Sequence, residues 1–281
     1  MEYNDDQKNV LKILKSKDKK FLMAAPSFPI DFNYSTFVAL MKKLGFDNVS
    51  ELTFGAKIVN HEYREYINAH KDQEMFITSP CPSIVNLVKN KFPEYVKYLM
   101  PFDSPMIAMA KIIKHNYPKY KIVFLSPCFA KKLEAKNSGI IDATVTFKEM
   151  KEIIENEKIK APKKKDYFDK FYNEYTKIYP IDGGLAKTMN AKNIFKKSEM
   201  VSCSDCIKLE EIFEKNKGKK FFDLLFCKGG CIGGPGILSK ESTNLKKKKI
   251  LDYKEYSEQE VMGKKRGLNK HLEGIDFSAK F

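Results

Sequence analysis

The sequence predicts an α/β protein of two lobes, in which mainly parallel, twisted sheets are flanked by helices. Apolar strand-like runs alternate with helical segments along most of the 281 residues, a pattern typical of parallel sheets joined by helical crossovers. A polar, lysine-rich stretch with a proline interrupts this alternation near the middle, which indicates a boundary between two lobes. With 43% hydrophobic residues, the chain can fill one large core or two ordinary ones.

The first lobe is predicted to span residues 1–156. Asp5 or Asp6 can cap a first helix, and Ser35 can cap a second helix whose apolar residues share one side. Further helices are predicted from Ala56 to His70, in the stretch before KIVFLS, and in FKEMKEIIENE. The predicted strands of this lobe are FLMAA, ELTF, MFIT, KIVFLS and DATVTF.

The second lobe is predicted to span residues 167–240. It follows the basic connector 157–166, EKIKAPKKKD, which contains five lysines and one proline. Its predicted strands are TKIYPIDGG, SEMVS and FFDLLF, separated by helical segments. Residues 241–281 are predicted to form a basic C-terminal helix and an irregular tail.

Four of the six cysteines stand where a predicted strand ends or where glycines crowd a turn. Cys81 closes MFITSPC, Cys128 closes KIVFLSPC, and Cys227 closes FFDLLFC. Ligands bind at the carboxyl ends of strands in open α/β sheets, because the loops diverge there and leave a crevice. The sequence therefore predicts that three distant segments direct sulfur atoms to one site, between the two lobes.

The fourth cysteine, Cys231, lies in CKGGCIGGPG, a turn with five glycines. Glycine lets the backbone and its N–H groups approach a bulky inorganic core closely. Four thiolates are the usual ligands of a 4Fe-4S cube, so the count fits an iron-sulfur cluster. Structural zinc and inert buried cysteine remain alternatives, although zinc more often uses two close Cys-x-x-Cys pairs.

Composition restricts the partners and the compartment. Lys and Arg exceed Asp and Glu by 15, which suits an acidic partner such as nucleic acid or an acidic electron carrier. Nucleic acid is disfavoured, because the lysine runs lack interleaved aromatic residues and a helix-turn-helix pattern. No apolar run is long enough to cross a bilayer, and the polar start is unlike a signal peptide. We therefore predict a cytoplasmic protein with free thiols.

Three ordered segments resemble the signature motifs of FeFe-hydrogenase catalytic domains: the stretch from TSPCPSIVNLV to DSPMIAMAKIIK, then FLSPCFAKKLEA, then FCKGGCIGGPG. FLMAAPSF and LMKKLGFDNVSELTFGA are similar to the start of the same domain, so the resemblance covers nearly the whole chain. It implies a two-lobed α/β domain around an H-cluster, which is a 4Fe-4S cube bridged to a diiron site with carbon monoxide, cyanide and a dithiolate.

The resemblance also implies roles for individual residues. The four cysteines named above match the cube ligands, and Cys231 matches the one whose sulfur also bridges to the diiron site. Lys131 matches a lysine that hydrogen-bonds a cyanide, a contact strengthened by charge, although Lys132 could turn inward instead. The positions that match walls of the diiron pocket are Pro26, Ser27, Pro105, Gly183 and Gly184.

Three departures from the family motifs make the expected pocket less polar. Pro80 stands where proficient members have a proton-donating cysteine, and proline has neither an ionisable side chain nor a backbone N–H. Met106 and Leu225 stand where glutamine and methionine are common. The chain is therefore more similar to a divergent, sensory or slow branch. Glu62 and Glu65 are candidate replacements for part of the proton path, or are solvated surface charges.

Three functions follow as alternatives. The first is an enzyme that slowly and reversibly interconverts H2 with protons and electrons, exchanging electrons with an external carrier such as ferredoxin or with a partner subunit. The second is a hydrogen sensor with the same cofactor. The third is a non-catalytic iron-sulfur assembly scaffold. Cys203 and Cys206 are either a redox pair at a helix start or buried, unpaired thiols.

Overall fold

The computed structural model describes residues 2–260 and 262–281, which form an α/β structure with seven strands and ten α-helices. The strands are β1 (Lys20–Ala24), β2 (Asn48–Glu51), β3 (Phe76–Ile77), β4 (Lys121–Ser126), β5 (Ala143–Thr146), β6 (Met200–Cys203) and β7 (Phe221–Leu224). The helices are α1 (Asp5–Lys15), α2 (Phe37–Leu44), α3 (Thr53–Ala69), α4 (Pro82–Lys91), α5 (Pro105–Asn116), α6 (Ala130–Ser138), α7 (Phe147–Asn156), α8 (Gly184–Thr188), α9 (Leu209–Lys215) and α10 (Thr243–Glu258).

The larger sheet has the strand order β2-β1-β4-β5, and every pairing in it is parallel. β1 and β4 occupy its centre, with Leu22 opposite Val123, and all five residues of β1 are buried. Strands buried on both faces are expected to be continuous apolar runs, as FLMA and IVFL are. Helices cover this sheet, so the predicted α/β class with parallel, helix-flanked sheets is confirmed.

The smaller sheet has the order β3-β7-β6, again parallel throughout. It has its own hydrophobic core, in which Ile77, Phe222 and Leu224 of the strands pack with apolar residues of α4 and α9. Its central strand β7 pairs with β3, so the segment that leads to Cys227 lies beside the segment that leads to Cys81. The carboxyl ends of β3 and β7 point in the same direction, which brings the segments that follow them together.

The strand pairing of this sheet runs across the predicted lobe boundaries. β3 lies within residues 1–156 but pairs with β7, so Cys81 belongs structurally with the second sheet. Conversely, Phe168 and Phe171 follow the connector but pack in the core of the first sheet. A strand of two residues carries too little pattern to indicate which sheet it joins, and the chain crosses between the lobes more than once.

Two predicted strands also differ from the elements that the structure shows at those positions. ELTF is divided, since β2 ends at Glu51 and α3 begins at Thr53. TKIYPIDGG is not a strand: Tyr175–Ile178 form a 3-10 helix, followed by a turn into α8. Ile178 and Tyr179 are buried because this segment packs between the lobes. A buried irregular segment has the same apolar pattern as a strand, which explains the wrong prediction.

The helix caps lie within one or two residues of their predicted positions. Asn4, rather than Asp5 or Asp6, caps α1, with Gln7 completing a reciprocal capping box. The connector 157–166 is irregular, as expected, and is tied to the first lobe where Lys42 pairs with Asp166 at 3.0 Å. Among the residues described, no helix is both long and apolar enough to span a bilayer.

Candidate metal centre

The four predicted ligand cysteines line a single cleft between the two sheets. Cys81 is the N-cap of α4, shortly after β3; Cys128 lies two residues beyond β4; Cys227 lies three residues beyond β7. Loops at the carboxyl ends of strands from both sheets therefore carry these cysteines to the cleft.

The glycine-rich turn is fixed tightly against neighbouring backbone. Cys231 donates its N–H to the carbonyl of Pro180 at 2.8 Å, and Gly236 donates to Pro127 at 2.8 Å. A Cβ atom on Gly230 would lie 2.6 Å from the Pro180 oxygen, and one on Gly234 would lie 2.3 Å from the Pro127 oxygen. Glycine is required at both positions because two other loops of the cleft contact the turn there.

Burial makes three of the cleft thiols, those of Cys81, Cys227 and Cys231, reluctant to ionise on their own. Desolvation, with the neighbouring cleft thiols, raises the pKa of Cys227 to about 11 and raises the pKa of Cys231 as well. The pKa of Cys81 is also raised, mainly by burial, while Lys131 acts in the opposite direction. Thiols of this kind deprotonate when a metal binds and supplies the missing positive charge.

The cysteines are not grouped as a mononuclear site would group them. Within residues 2–260 and 262–281, no three His, Cys, Asp or Glu side chains stand close enough to hold one metal ion. A tetrahedral zinc with Zn–S bonds of about 2.3 Å would require such a group. An iron-sulfur cube places inorganic atoms between its ligands, so its thiolates stand further apart than those of zinc.

Lys131 is the lysine that faces the cleft, and Lys132 turns away. The Lys131 ammonium lies 2.6 Å from a carboxylate oxygen of Glu134 and donates to the carbonyl of Pro80 at 3.0 Å. Lys132 instead pairs with Asp6 at 2.6 Å and with Glu149 at 2.7 Å. Of these two neighbours, only Lys131 lies among the residues that line the cleft.

The walls of the cleft are almost wholly apolar. Pro26, Ser27 and Pro105 line it, as the resemblance implied. The three departures from the family motifs line it too: Pro80, Met106 and Leu225. The side chains of these three residues have no titratable group.

Gly183 and Gly184 are not among the residues that line this cleft. A Cβ on Gly184 would lie 2.0 Å from the Ile178 oxygen, so glycine lets the chain fold back sharply after the 3-10 helix. The wall here is formed by Tyr179 and Pro180, a little earlier in the same segment.

Sequence reasoning missed Tyr179. The side chains of Tyr179 and Ser27 line the cleft, and their hydroxyls are buried with no hydrogen-bond partner among the described residues. The position was hidden because the surrounding run has the apolar pattern of a strand. The signal in the sequence was Lys177, a charged residue in the apolar run KIYPI, with Tyr179 two residues after it.

Lys177 anchors the segment that carries Tyr179 and Pro180, which we call the strap (residues 175–184). Its side chain is fully buried and bonds Glu51 at the end of β2 and the hydroxyl of Tyr253 in α10, the latter at 2.7 Å. Tyr253 in turn donates to Glu51 at 3.0 Å. Three elements are thus tied together beside the cleft.

The other candidates lie away from the cleft lining. Glu62 is half-buried on α3 and Glu65 is exposed. Cys203 ends β6, and Cys206 is buried in the following turn with its sulfur 3.2 Å from the Cys203 carbonyl. Burial and the neighbouring thiol raise the pKa of Cys206, which is the opposite of the activation that a redox pair at a helix start requires.

Most of the chain matches one described protein family. Residues 19–235 match the family described as the C-terminal domain of the iron-only hydrogenase large subunit. Iron hydrogenase 1 of Clostridium pasteurianum is 26% identical over 85% of this chain. The cytosolic Fe-S cluster assembly factor NAR1 of Encephalitozoon cuniculi is 25% identical over 64% of it. The chain spans about half the length of these two relatives, 52% and 56%.

Solved structures show the same fold. A structure of HydA(deltaEFG), described as revealing stepwise H-cluster assembly in FeFe-hydrogenase, matches with a TM-score of 0.67 and 14% identity, covering 87% of this chain and 88% of that one. A variant of FeFe-hydrogenase HydA1 from Chlamydomonas reinhardtii matches with a TM-score of 0.66 and 13% identity, covering 93% and 90%. At such low identity the likeness concerns the fold.

Proposed function

Because the chain belongs to the iron-only hydrogenase family, as a C-terminal domain of the large-subunit type, we propose that it binds an H-cluster and slowly interconverts H2 with protons and electrons. The observation that carries the proposal is the meeting of four cysteines from separate segments in one cleft, with one lysine beside them. The cysteines would hold the 4Fe-4S cube, with Cys231 shared with the diiron site.

Three features of the cleft fit such a group. The four thiols supply the ligand set of a cube, and the glycine turn leaves no side chain in the way. Ser27 and Tyr179 have buried hydroxyls without partners in the lining of the cleft, and a buried hydroxyl normally has a partner. Within the described residues, no three His, Cys, Asp or Glu side chains are grouped as the ligands of a single ion would be.

When bound, the cluster would supply the iron at which hydrogen is split or formed. The residues of the chain position and isolate it. Lys131 would donate a charge-assisted hydrogen bond to an anionic ligand such as cyanide, while Glu134 and the Pro80 carbonyl hold its ammonium in place. The apolar walls, including Met106 and Leu225, would exclude water and strengthen that contact.

Low turnover follows from Pro80. It lines the cleft immediately before Cys81, where a side chain would have to deliver protons, and it has none that can. General acid-base catalysis typically contributes roughly 10² to 10⁴-fold, so hydrogen binding would persist while turnover slows. Electrons would pass to an external carrier, and the exposed Lys228 between two ligand cysteines would favour an acidic one such as a ferredoxin.

Infrared spectroscopy tests the proposal. The protein is reconstituted anaerobically with iron and sulfide, then with a diiron precursor, and scanned where metal-bound carbon monoxide and cyanide absorb. We expect bands in both regions, and slow hydrogen evolution with a reduced dye. A protein that takes up the cube but shows no such bands would contradict the proposal.

The second candidate is an assembly factor, favoured by the match to NAR1 and by the missing proton donor at Pro80. It predicts iron and sulfide uptake without carbon monoxide or cyanide bands. A hydrogen sensor with the same cofactor would show the bands, would change them under H2, and would evolve no hydrogen. The two measurements together distinguish all three functions.

A further inference from the structure

Tyr179 differs from the other large, buried tyrosines of the molecule. The hydroxyl of Tyr63 pairs with Ser79 at 2.9 Å, that of Tyr172 donates to the Ser257 carbonyl at 2.9 Å, and that of Tyr253 donates to Glu51. The hydroxyl of Tyr179 is also buried but has no partner among the described residues. Something outside the described chain is therefore needed to satisfy it.

The lining of the cleft is largely apolar, with Leu52, Ala56 and Leu185 among its residues, and offers few partners to a hydroxyl. Tyr63 and Asp223 also lie within electrostatic reach of the phenol, and the Asp223 Oδ1 has no partner among the described residues. An ordered water typically makes about three hydrogen bonds, so a water shared with Asp223 and a bound group with its own acceptor atoms are the two candidate partners of this hydroxyl. The place of Tyr179 in the lining of the cysteine cleft favours the bound group.

The strap fixes Tyr179 beside one ligand. The next residue, Pro180, accepts the hydrogen bond from the Cys231 N–H, and Ile181 forms an antiparallel bridge with Gly230. Burial, followed by Tyr63, Asp223 and the Cys231 sulfur, holds the pKa of the phenol well above its usual value. The phenol therefore keeps its proton at any working pH and can only act as a neutral donor or acceptor.

We propose that the phenolic O–H of Tyr179 donates a hydrogen bond to an anionic ligand of the iron centre held by the four cysteines. This inference rests on the proposed function, in which that ligand is a cyanide of the diiron site. Tyr179 is then a cofactor-binding residue, and together with Lys131 and Ser27 it forms a set of three donors in an otherwise apolar cleft.

The test compares Tyr179→Phe with Tyr256→Phe. Both substitutions remove a buried hydroxyl without a partner among the described residues, but Tyr256 lies on α10 and not among the cleft residues. The first measurement is the rise in melting temperature when each apoprotein is loaded with the metal centre. We expect Tyr179→Phe to gain less than wild type, and Tyr256→Phe to gain as much as wild type, because only Tyr179 would bond the bound group.

The second measurement is the infrared spectrum of the loaded proteins. Hydrogen bonding at the nitrogen end of a metal cyanide raises its stretching frequency, so a cyanide band should move to lower wavenumber in Tyr179→Phe and stay in place in Tyr256→Phe. Identical bands and identical thermal gains in wild type and Tyr179→Phe would overturn the inference and identify water as the partner of the hydroxyl.

The result that would contradict the proposed function differs from the result that would contradict the role of Tyr179. If wild type binds the cube but shows no cyanide bands, the proposed function is contradicted. The thermal comparison with the cube alone then decides the role of Tyr179. A smaller gain in Tyr179→Phe would support donation to the cube, and an equal gain would refute donation to any ligand of the iron centre.

Discussion

Replacing Lys177 by methionine should strongly destabilise the apoprotein. The Lys177 and Glu51 side chains have 0% exposure, and the lysine ammonium also lies 4.6 Å from the ring centres of Tyr172 and Tyr253. Methionine fills similar space but removes the charge, which leaves the Glu51 carboxylate buried with only the Tyr253 hydroxyl as a partner. Leaving one member of a buried ion pair uncompensated typically costs about 3–5 kcal/mol.

A second substitution separates charge from packing. Glu51→Gln in the Lys177→Met background removes the stranded charge and keeps an acceptor for Tyr253. It should restore about half of the loss or more, because much of that loss comes from the unpaired carboxylate rather than from a missing attraction. Lys254→Met is the control: its ion pair with Glu258 is solvent-exposed, so the change should be within about 1 kcal/mol.

Urea unfolding followed by far-ultraviolet circular dichroism measures these free energies, and the chain has no tryptophan for fluorescence. A loss below about 1 kcal/mol for Lys177→Met, or a double variant no more stable than the single one, would refute the argument. The same variant tests a link to function. Since Lys177 anchors the strap that holds Pro180 against Cys231, Lys177→Met should also bind less iron after reconstitution.

Three further predictions concern the cleft and its surroundings. Pro80→Cys should raise hydrogen evolution by the reconstituted protein, by as much as about 10² to 10⁴-fold, whereas an unchanged rate would show that protons take another route. Gly234→Ala should reduce iron content, because its Cβ would lie 2.3 Å from the Pro127 oxygen, while Gly263→Ala, which meets nothing within 4 Å, should bind iron normally. Burial raises the pKa of Asp223 to about 7 from 3.8, so the folded state binds its proton more tightly and stability should fall as pH rises between these values. Asp223→Asn should remove this part of the pH dependence of the unfolding free energy, measured by urea unfolding at several pH values. An unaltered pH dependence would assign it to other groups.

The sequence predicted what depends on local pattern. β4 and α7 have near-continuous or strongly periodic apolar residues, and both lie within a residue of their predicted positions. The four cysteines were placed together because three follow strand ends and one lies in a glycine-rich turn, and the topology of α/β sheets directs such ends to one crevice.

The rest depended on long-range pairing. β3 has two residues, and its assignment to the smaller sheet comes from β7, which lies more than 140 residues later. The strap resembled a strand because it is buried, although its conformation is set by the ion pair of Lys177 with Glu51. Tyr179 was missed for the same reason, since only its position in three dimensions shows that its hydroxyl lacks a partner among the described residues.

The count of iron and sulfide in the anaerobically reconstituted protein tests the central claim most directly. If the four cysteines of the cleft hold one cube, the purified chain should retain about four irons and four sulfides, with the absorption and electron paramagnetic resonance of a 4Fe-4S cluster. Cys227→Ser should lose most of this iron, whereas Cys203→Ser should keep it. A protein that binds one zinc ion, or that keeps all its iron in Cys227→Ser, would contradict the claim.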